Sequence, residues 1–251
     1  MCLILFAWQM HADYPLVLAA NRDEFYRRPT LPLAPWQDAP DIIGGRDLAA
    51  GGGWLACHAD GRFAAVTNVR QGLPPQAGAK SRGQLITDYL KNTLQPYEFI
   101  ENLEPESYDG FNLLLGNRQE LYYTSNRNEV HAEPLRPGIY GLSNHRLDTP
   151  WMKVTRAKQA FTAALNALPA SEAFFQFLAD RSLAPDASLP QTGIPLAAER
   201  MLSAIFIASP DYGTRASTLL LAHRDGHFRM QERRFGANGE ALGEAIAETV
   251  L

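Results

Sequence analysis

The sequence predicts an α+β fold made of antiparallel strands, and three observations lead to this class. Short apolar runs come in blocks, mainly within residues 3–68 and 203–235. Neighbouring runs are separated by tight polar turns that are typical of hairpins. Helical patterns gather between the blocks instead of alternating with single strands. This order favours α+β and excludes a regular βαβ alternation.

The first block contains two predicted hairpins. Residues 3–8 and 16–20 are apolar runs around a polar turn, and residues 54–68 form a second hairpin that turns at Asp60-Gly61. Between the hairpins, residues 28–40 are rich in proline and are expected to form an extended surface loop. The glycines that follow lack the Gly-Lys-Ser/Thr ending of a phosphate-binding P-loop.

Helix starts are visible in the middle of the chain. Ser81 with Gln84 resembles a capping box and predicts a helix over 81–94, and Pro96 suits the first turn of a short second helix. Strand character returns over 111–123, with a turn at Gly116-Asn117.

The second half begins with a strong helical signal. Thr149-Pro150 is a cap and first-turn pair that opens an Ala-rich helix ending near residue 168, and another helix covers 171–179. The last predicted strands are residues 203–208, 217–223 and 228–235.

Composition limits the kind of protein this is. The 251 residues are 46% hydrophobic and carry a net charge of −4, which suits one globular domain over 1–251 and argues against a dominant nucleic-acid-binding patch. No apolar run approaches the length of a membrane span. Two cysteines make no disulfide framework, and the apolar start lacks the basic residues of a signal peptide, so we expect a cytoplasmic location.

Cys2 is the most informative position for chemistry. If Met1 is removed, one residue carries both a thiol and an α-amine, whose pKa of about 7.7–8.0 lets it accept the thiol proton near neutral pH. That combination is the activation logic of an N-terminal nucleophile. The alternative is a small apolar residue that simply starts a strand.

Polar residues at the ends of apolar runs are further candidates. Asn21-Arg22-Asp23-Glu24 ends the second run, where Asp23 suits an α-ammonium or arginine partner and Arg22 suits the thiolate or a substrate carboxylate. A solvated junction between strand and loop is the alternative.

Three more polar positions follow or precede apolar runs. The amides of Asn68 and Asn144 suit an oxyanion, and Arg215 suits a neighbouring thiol. Each of these residues is also typical of an ordinary turn.

No metal site is predicted. His223 and His227 have a spacing found in metal sites, but Arg224-Asp225-Gly226 between them is typical of a hairpin turn, and no second ligand cluster accompanies them.

The chain resembles the NRDE-motif family, of the transport and Golgi organisation 2 type. The resemblance rests on motifs that occur in order from residue 1 to about 220. They are Met1-Cys2-Leu3-Ile4, residues 18–25 with Asn21-Arg22-Asp23-Glu24, Gly52-Gly53-Trp54-Leu55, Ala65-Val66-Thr67-Asn68, Ser81-Arg82-Gly83, Gly110-Phe111-Asn112-Leu113, Tyr140-Gly141-Leu142-Ser143-Asn144 with Thr149-Pro150-Trp151, and Tyr212-Gly213-Thr214-Arg215. Residues 183–198 and the tail after Phe235 carry little of it.

The resemblance implies a four-layer αββα sandwich similar to the N-terminal nucleophile (Ntn) hydrolases, with two antiparallel sheets between helical layers. Within that group the layout looks like choloylglycine hydrolases and penicillin V acylases. It implies catalytic roles for Cys2, Asp23, Asn68, Asn144 and Arg215, with Arg22 and Glu24 binding substrate. Arg22 and Asp23 are adjacent here, whereas two residues separate the matching pair in the hydrolases, so Glu24 is a second candidate for the acid.

Two functions are expected from this resemblance. The first is an enzyme that cleaves or transfers an acyl group at a non-peptide amide or thioester and needs no cofactor. The second is a non-catalytic carrier that binds haem or an acyl-CoA or lipid ligand in the same pocket. Both expect a small-molecule partner and neither expects nucleic acid; a structural protein with a relic site is the third alternative.

Overall fold

A computed structural model describes residues 2–72, 79–127 and 132–249 of the chain. Its strands are β1 (Cys2–Trp8), β2 (Leu16–Phe25), β3 (Thr30–Trp36), β4 (Ala39–Asp47), β5 (Leu55–His58), β6 (Phe63–Asn68), β7 (Phe111–Gly116), β8 (Leu121–Ser125), β9 (Glu133–Pro134), β10 (Gly138–Leu142), β11 (Tyr212–Ala222), β12 (Phe228–Phe235) and β13 (Ala241–Glu248). They form a six-stranded sheet in the order β10-β1-β2-β11-β12-β13 and a seven-stranded sheet in the order β3-β4-β5-β6-β7-β8-β9, and all paired strands are antiparallel.

Within the described residues, five α-helices accompany the sheets. They are α1 (Arg82–Lys91), α2 (Pro96–Glu101), α3 (Met152–Ala164), α4 (Glu172–Leu178) and α5 (Leu196–Met201). In the part of the chain that the structure describes, no helix combines the length and the apolar character needed to cross a bilayer.

Side-chain alternation along the strands builds the layers. Ile4 and Phe6 of β1 join Leu18 of β2 in a core that also contains Phe63 and Leu114 of the other sheet. Since successive strand residues point to opposite faces, the residues between them belong to a different core.

Each sheet packs helices on its outer face. Leu3 and Leu5 pack with residues of α3 and α4, while Ala64 and Leu113 pack with residues of α1 and α2. The layer order is therefore helices, sheet, sheet, helices, which confirms the predicted αββα sandwich.

Two predicted elements were wrong. Residues 30–36 of the proline-rich segment form strand β3, and this works because β3 is the edge of its sheet, where proline's missing N–H is tolerated. Residues 203–208 form no strand; instead the Phe206 amide donates to the Asp180 carbonyl, and Ile205 is buried against the helical layer. A short apolar run has the same pattern in a buried turn as in a strand.

The predicted helix caps also differ from the structure. Ser81 precedes α1 without a side-chain cap hydrogen bond, and Trp151, not Thr149, is the N-cap position of α3. The predicted hairpins, the helix beginning at Pro96 and the helix within 171–179 are confirmed.

Candidate active site

A cavity of about 310 Å³ opens at the end of the sandwich where β1 begins and β2 ends. Five of the seven predicted site residues line it: Cys2, Arg22, Asp23, Glu24 and Asn68. The hairpin register explains part of this grouping, because Cys2 lies opposite Arg22 in the β1–β2 ladder. The predicted roles of all seven residues remain predictions.

The two cysteines lie in different surroundings. Cys2 is partly buried on the cavity wall, and its carbonyl accepts a hydrogen bond of 3.0 Å from the Ser143 hydroxyl. Cys57 lies in the core between the sheets, 3.6 Å from the sulfur of Met230. Burial raises the pKa of the Cys57 thiol far above its ordinary value. Because the thiolate is the nucleophile, this environment makes Cys57 inert.

The cavity face of β2 is held by ion pairs. Arg22 lies 3.2 Å from the Asp47 carboxylate and stacks on the Trp54 ring, with 4.2 Å between its guanidinium carbon and the ring centroid. Arg28 reaches the same carboxylate at 2.5 Å and Glu24 at 3.9 Å. Arg22 and Arg28 are therefore already partnered by carboxylates.

The opposite face of β2 holds a sealed charged group. Asp23 is 2% exposed and accepts a hydrogen bond of 2.8 Å from the Thr214 hydroxyl, its neighbour in the β2–β11 ladder. Burial raises the pKa of Asp23, while Lys153 and the Thr214 hydrogen bond oppose that rise. Although its side chain lies on the helical side of β2, Asp23 also borders the cavity at the end of the strand.

Lys153 of α3 is a buried cation whose charge acts on Asp23. It is 2% exposed, and its Nζ donates no hydrogen bond within the described residues. Burial lowers the pKa of Lys153 to about 8, although the neighbouring Asp23 charge opposes this. A cation this poorly solvated is close to losing its proton near neutral pH.

The two predicted asparagines are joined to each other. The Asn144 side-chain amide donates to the Asn68 backbone carbonyl at 3.1 Å and to its side-chain oxygen at 3.0 Å. Asn144 is fully buried, whereas Asn68 is partly exposed in the cavity. With its oxygen engaged, the Asn68 side chain has its NH₂ group left to donate.

Arg215 lies outside the cavity lining. It occupies an irregularity in the β2–β11 register, between Thr214 and Ala216. Its guanidinium donates to the carbonyls of Phe25 and Arg28 and to the Thr30 hydroxyl, so it fastens the chain that leaves β2.

Three side chains of the site were not predicted from the sequence to be functional residues. Arg82 lies at the start of α1 on the cavity wall, Asp47 holds the two arginines of β2 and its following loop, and Lys153 lies beneath Asp23. A signal existed for Arg82 because it is part of the Ser81-Arg82-Gly83 motif. Lys153 had none, because a lysine in an amphipathic helix normally faces solvent.

The glycine-rich loop before β5 has a packing role. A Cβ atom on Gly52 would lie 2.3 Å from the carbonyl carbon of Gly83, so only glycine allows this close approach. The contact places the start of α1 against the cavity.

The histidine pair lies in the β11–β12 turn, away from the cavity. The Asp225 carboxylate lies 2.8 Å from Nδ1 of His223 and 2.5 Å from Nδ1 of His227. The prediction that the protein holds no metal remains a prediction.

The fold and cavity define the class: a layered α+β protein whose sandwich opens beside a cysteine at the start of its first strand. The family profile for Transport and Golgi organisation 2 matches residues 1–237. The human and bovine Transport and Golgi organization protein 2 homologs are 35% and 34% identical to this chain, each over 93% of it and 92% of the relative. The chain belongs to the Transport and Golgi organisation 2 family.

A solved structure adds a more distant likeness. The chain is similar to the Caenorhabditis elegans N-acylethanolamine-hydrolyzing acid amidase ortholog, at 10% identity and a TM-score of 0.48, over 88% of this chain and 92% of that one.

Proposed function

We propose that this protein uses Cys2 as an N-terminal nucleophile to cleave or transfer an acyl group at a non-peptide amide or thioester. The observation that carries the proposal is the position of Cys2. It begins β1 on the wall of a cavity, beside Arg22, and an amide donor (Asn68) and the buried carboxylate of Asp23 also border that cavity. The proposal includes removal of Met1, which frees the α-amine of Cys2.

In the first step the α-amine takes the thiol proton and Sγ attacks the carbonyl carbon. The carbonyl π electrons move to oxygen and give a tetrahedral oxyanion. Collapse of this oxyanion breaks the bond to the amine or thiol leaving group, which takes the proton back from the α-ammonium. The product is a thioester between the acyl group and Cys2.

The second step releases the acyl group. Water, or an acceptor alcohol, thiol or amine, loses a proton to the α-amine and attacks the thioester carbonyl. The bond to Sγ then breaks and the sulfur leaves as a thiol after taking that proton. Water gives hydrolysis, and another acceptor gives acyl transfer.

The surrounding residues assist by holding charge. The NH₂ group of Asn68 donates to the oxyanion, and Asn144 orients Asn68 through its two hydrogen bonds. Asp23 holds the protonated α-amine in place, and Lys153 limits the proton affinity of that carboxylate. Arg215 supports the site indirectly by fastening the segment after β2.

The test combines mass measurement with selective labelling. Purified protein is analysed for loss of Met1, then alkylated briefly at neutral pH and mapped by peptide. We expect loss of Met1 and labelling of Cys2 well ahead of Cys57. A screen of acyl amides and thioesters then compares wild type with Cys2→Ala, and Cys57→Ala serves as the matched control that keeps turnover.

A retained Met1, together with a Cys2 no more reactive than a free cysteine peptide, contradicts the proposal. The function left would be the non-catalytic carrier predicted from the family resemblance. Haem and acyl-CoA titrations of Cys2→Ala test that function, because ligand binding then persists without the thiol.

A further inference from the structure

Arg82 differs from the other two arginines that line the cavity. Arg22 and Arg28 both contact the Asp47 carboxylate, so their charges are balanced within the protein. Among the described residues, Arg82 has no carboxylate oxygen within 4.0 Å. The one hydrogen bond it donates there is a long one, 3.4 Å, to the Gly110 carbonyl.

The position of Arg82 is set by the backbone. It is the first residue of α1, and the close contact between Gly52 and Gly83 holds this end of the helix against the cavity. The side chain is partly buried, and burial lowers the pKa of Arg82 although Asp109, Cys2 and Glu24 lie near enough to oppose that effect. Lys80, the other cation in this segment, is exposed and pairs with Glu104 at 3.5 Å.

A guanidinium has five N–H donors in one plane, and this fork fits the paired oxygens of a carboxylate or phosphate. Arg82 uses one donor weakly, so the rest remain for a ligand in the cavity. A ligand anion there would also replace the hydration that burial removes.

We infer that Arg82 is the anion-recognition residue of the cavity, so that the molecule attacked by Cys2 carries a carboxylate or phosphate close to its scissile bond. This inference rests on the proposed function. It narrows the amide or thioester class to anionic members, and makes Arg82 a specificity-determining residue.

The experiment compares two alkylating reagents of similar size, of which one carries the negative charge that Arg82 is inferred to bind and the other is neutral. Iodoacetate is an anion and iodoacetamide is neutral, and each reacts by forming a bond from Sγ to its methylene carbon as iodide leaves. Because both reagents react with the thiolate, a change in the thiolate fraction of Cys2 alters both rates by the same factor and leaves their ratio unchanged. The ratio is measured by peptide mapping in wild type, Arg82→Gln, Arg82→Lys and Arg118→Gln, a matched variant that loses an exposed arginine outside this cavity.

We expect the iodoacetate-to-iodoacetamide ratio to fall about tenfold in Arg82→Gln, the size of effect given by one lost charge-assisted hydrogen-bonding partner. Arg82→Lys keeps most of the ratio, and Arg118→Gln leaves it unchanged. An equal ratio in wild type and Arg82→Gln, with Cys2 reactive in both, overturns the anion site and leaves the proposed function standing.

If Cys2 reacts with neither reagent, the proposed function fails and a second measurement decides the anion site. Inorganic phosphate is added as the probe and the melting temperature is recorded. A rise in wild type that is absent in Arg82→Gln supports an anion site, and no rise in wild type overturns it.

Discussion

The two faces of the polar end of β2 make different use of the same kind of residue. Asn21 and Asp23 point to the helical layer, where Asn21 is fully buried and Asp23 is 2% exposed. Arg22 and Glu24 point to the cavity, where they pair with Asp47 and Arg28. Alternation along a strand therefore divides one four-residue motif into two surroundings.

The two surroundings differ in their access to water. On the helical face, water is excluded, so every polar atom must find a protein partner or lose stability. On the cavity face, each charge has a partner and solvent lies nearby, so single changes are better tolerated. The predictions that follow test this division, starting with the largest expected effect.

Asn21→Leu is expected to destabilise the protein most. Asn21 donates to the carbonyls of Leu178 and Ile205 at 2.8 Å each and accepts from the Ser217 hydroxyl at 2.6 Å. Leucine has a similar size but leaves all three partners buried and unpaired, at a loss of about 3–5 kcal/mol in unfolding free energy. Urea denaturation measures this loss.

The matched control for that variant is Asn102→Leu. Asn102 is exposed and its side chain donates one hydrogen bond, to the Glu98 carbonyl. We expect a loss below about 1 kcal/mol there. Equal losses of unfolding free energy at the two positions would mean that the Asn21 hydrogen bonds do not stabilise the contact between β2 and the helical layer.

The apolar part of β2 and the polar residues after it were predictable because both are local features, although the strand continues through those polar residues to Phe25. The β1–β2 hairpin, the αββα layers and the grouping of Cys2 with Arg22 all follow from strand pairing and from the family resemblance. The sealed face was not predictable in the same way. Which side chain faces the helices depends on residues far along the chain.

Lys153 shows why. It is 130 positions from Asp23 in sequence, and its approach depends on how α3 packs beneath β1. The Asn68–Asn144 hydrogen bonds and the diversion of Arg215 toward Phe25 likewise arise from loop packing. Local pattern carries no information on such distant contacts.

Lys153→Met should change how stability depends on pH. The pKa of Lys153 is lowered from 10.5 to about 8 in the folded protein. Between those pH values the unfolded state binds more protons, so wild-type stability rises with pH and the methionine variant lacks this rise. The difference between the two unfolding free energies should grow in favour of wild type by up to roughly 3 kcal/mol from pH 8 to 10.5.

Lys158→Met is the matched control on the same helix. Lys158 is one-third exposed and pairs with Asp148 at 2.8 Å. Because water solvates its ammonium group, we expect no comparable rise. Denaturant titrations at four pH values distinguish the variants, and parallel curves for Lys153→Met and Lys158→Met would show that the two lysines are equally solvated.

Arg22→Met tests the cavity face and is expected to cost about 2 kcal/mol. Asp47 loses one cation but keeps Arg28 and the backbone amides of Ala49 and Ala50, so its charge stays partnered. Arg46→Met is the control, since Arg46 stacks on Trp36 at 4.0 Å and pairs with the exposed Asp38. A loss below about 1 kcal/mol is expected for that partly exposed pair, and thermal unfolding in matched buffers compares Arg22→Met with Arg46→Met.

Glu24→Gln should have the smallest effect on stability, below about 0.5 kcal/mol. Its carboxylate lies 3.9 Å from Arg28, a partly exposed and long ion pair, and its hydrogen bond from the Phe25 amide can be accepted equally by the glutamine carbonyl. Arg28 keeps Asp47 at 2.5 Å in the variant. The melting temperature is the readout. A loss as large as that of Arg22→Met would mean that Arg22, Glu24, Arg28 and Asp47 act as one coupled unit, and the cavity face would then be as intolerant of single changes as the helical face.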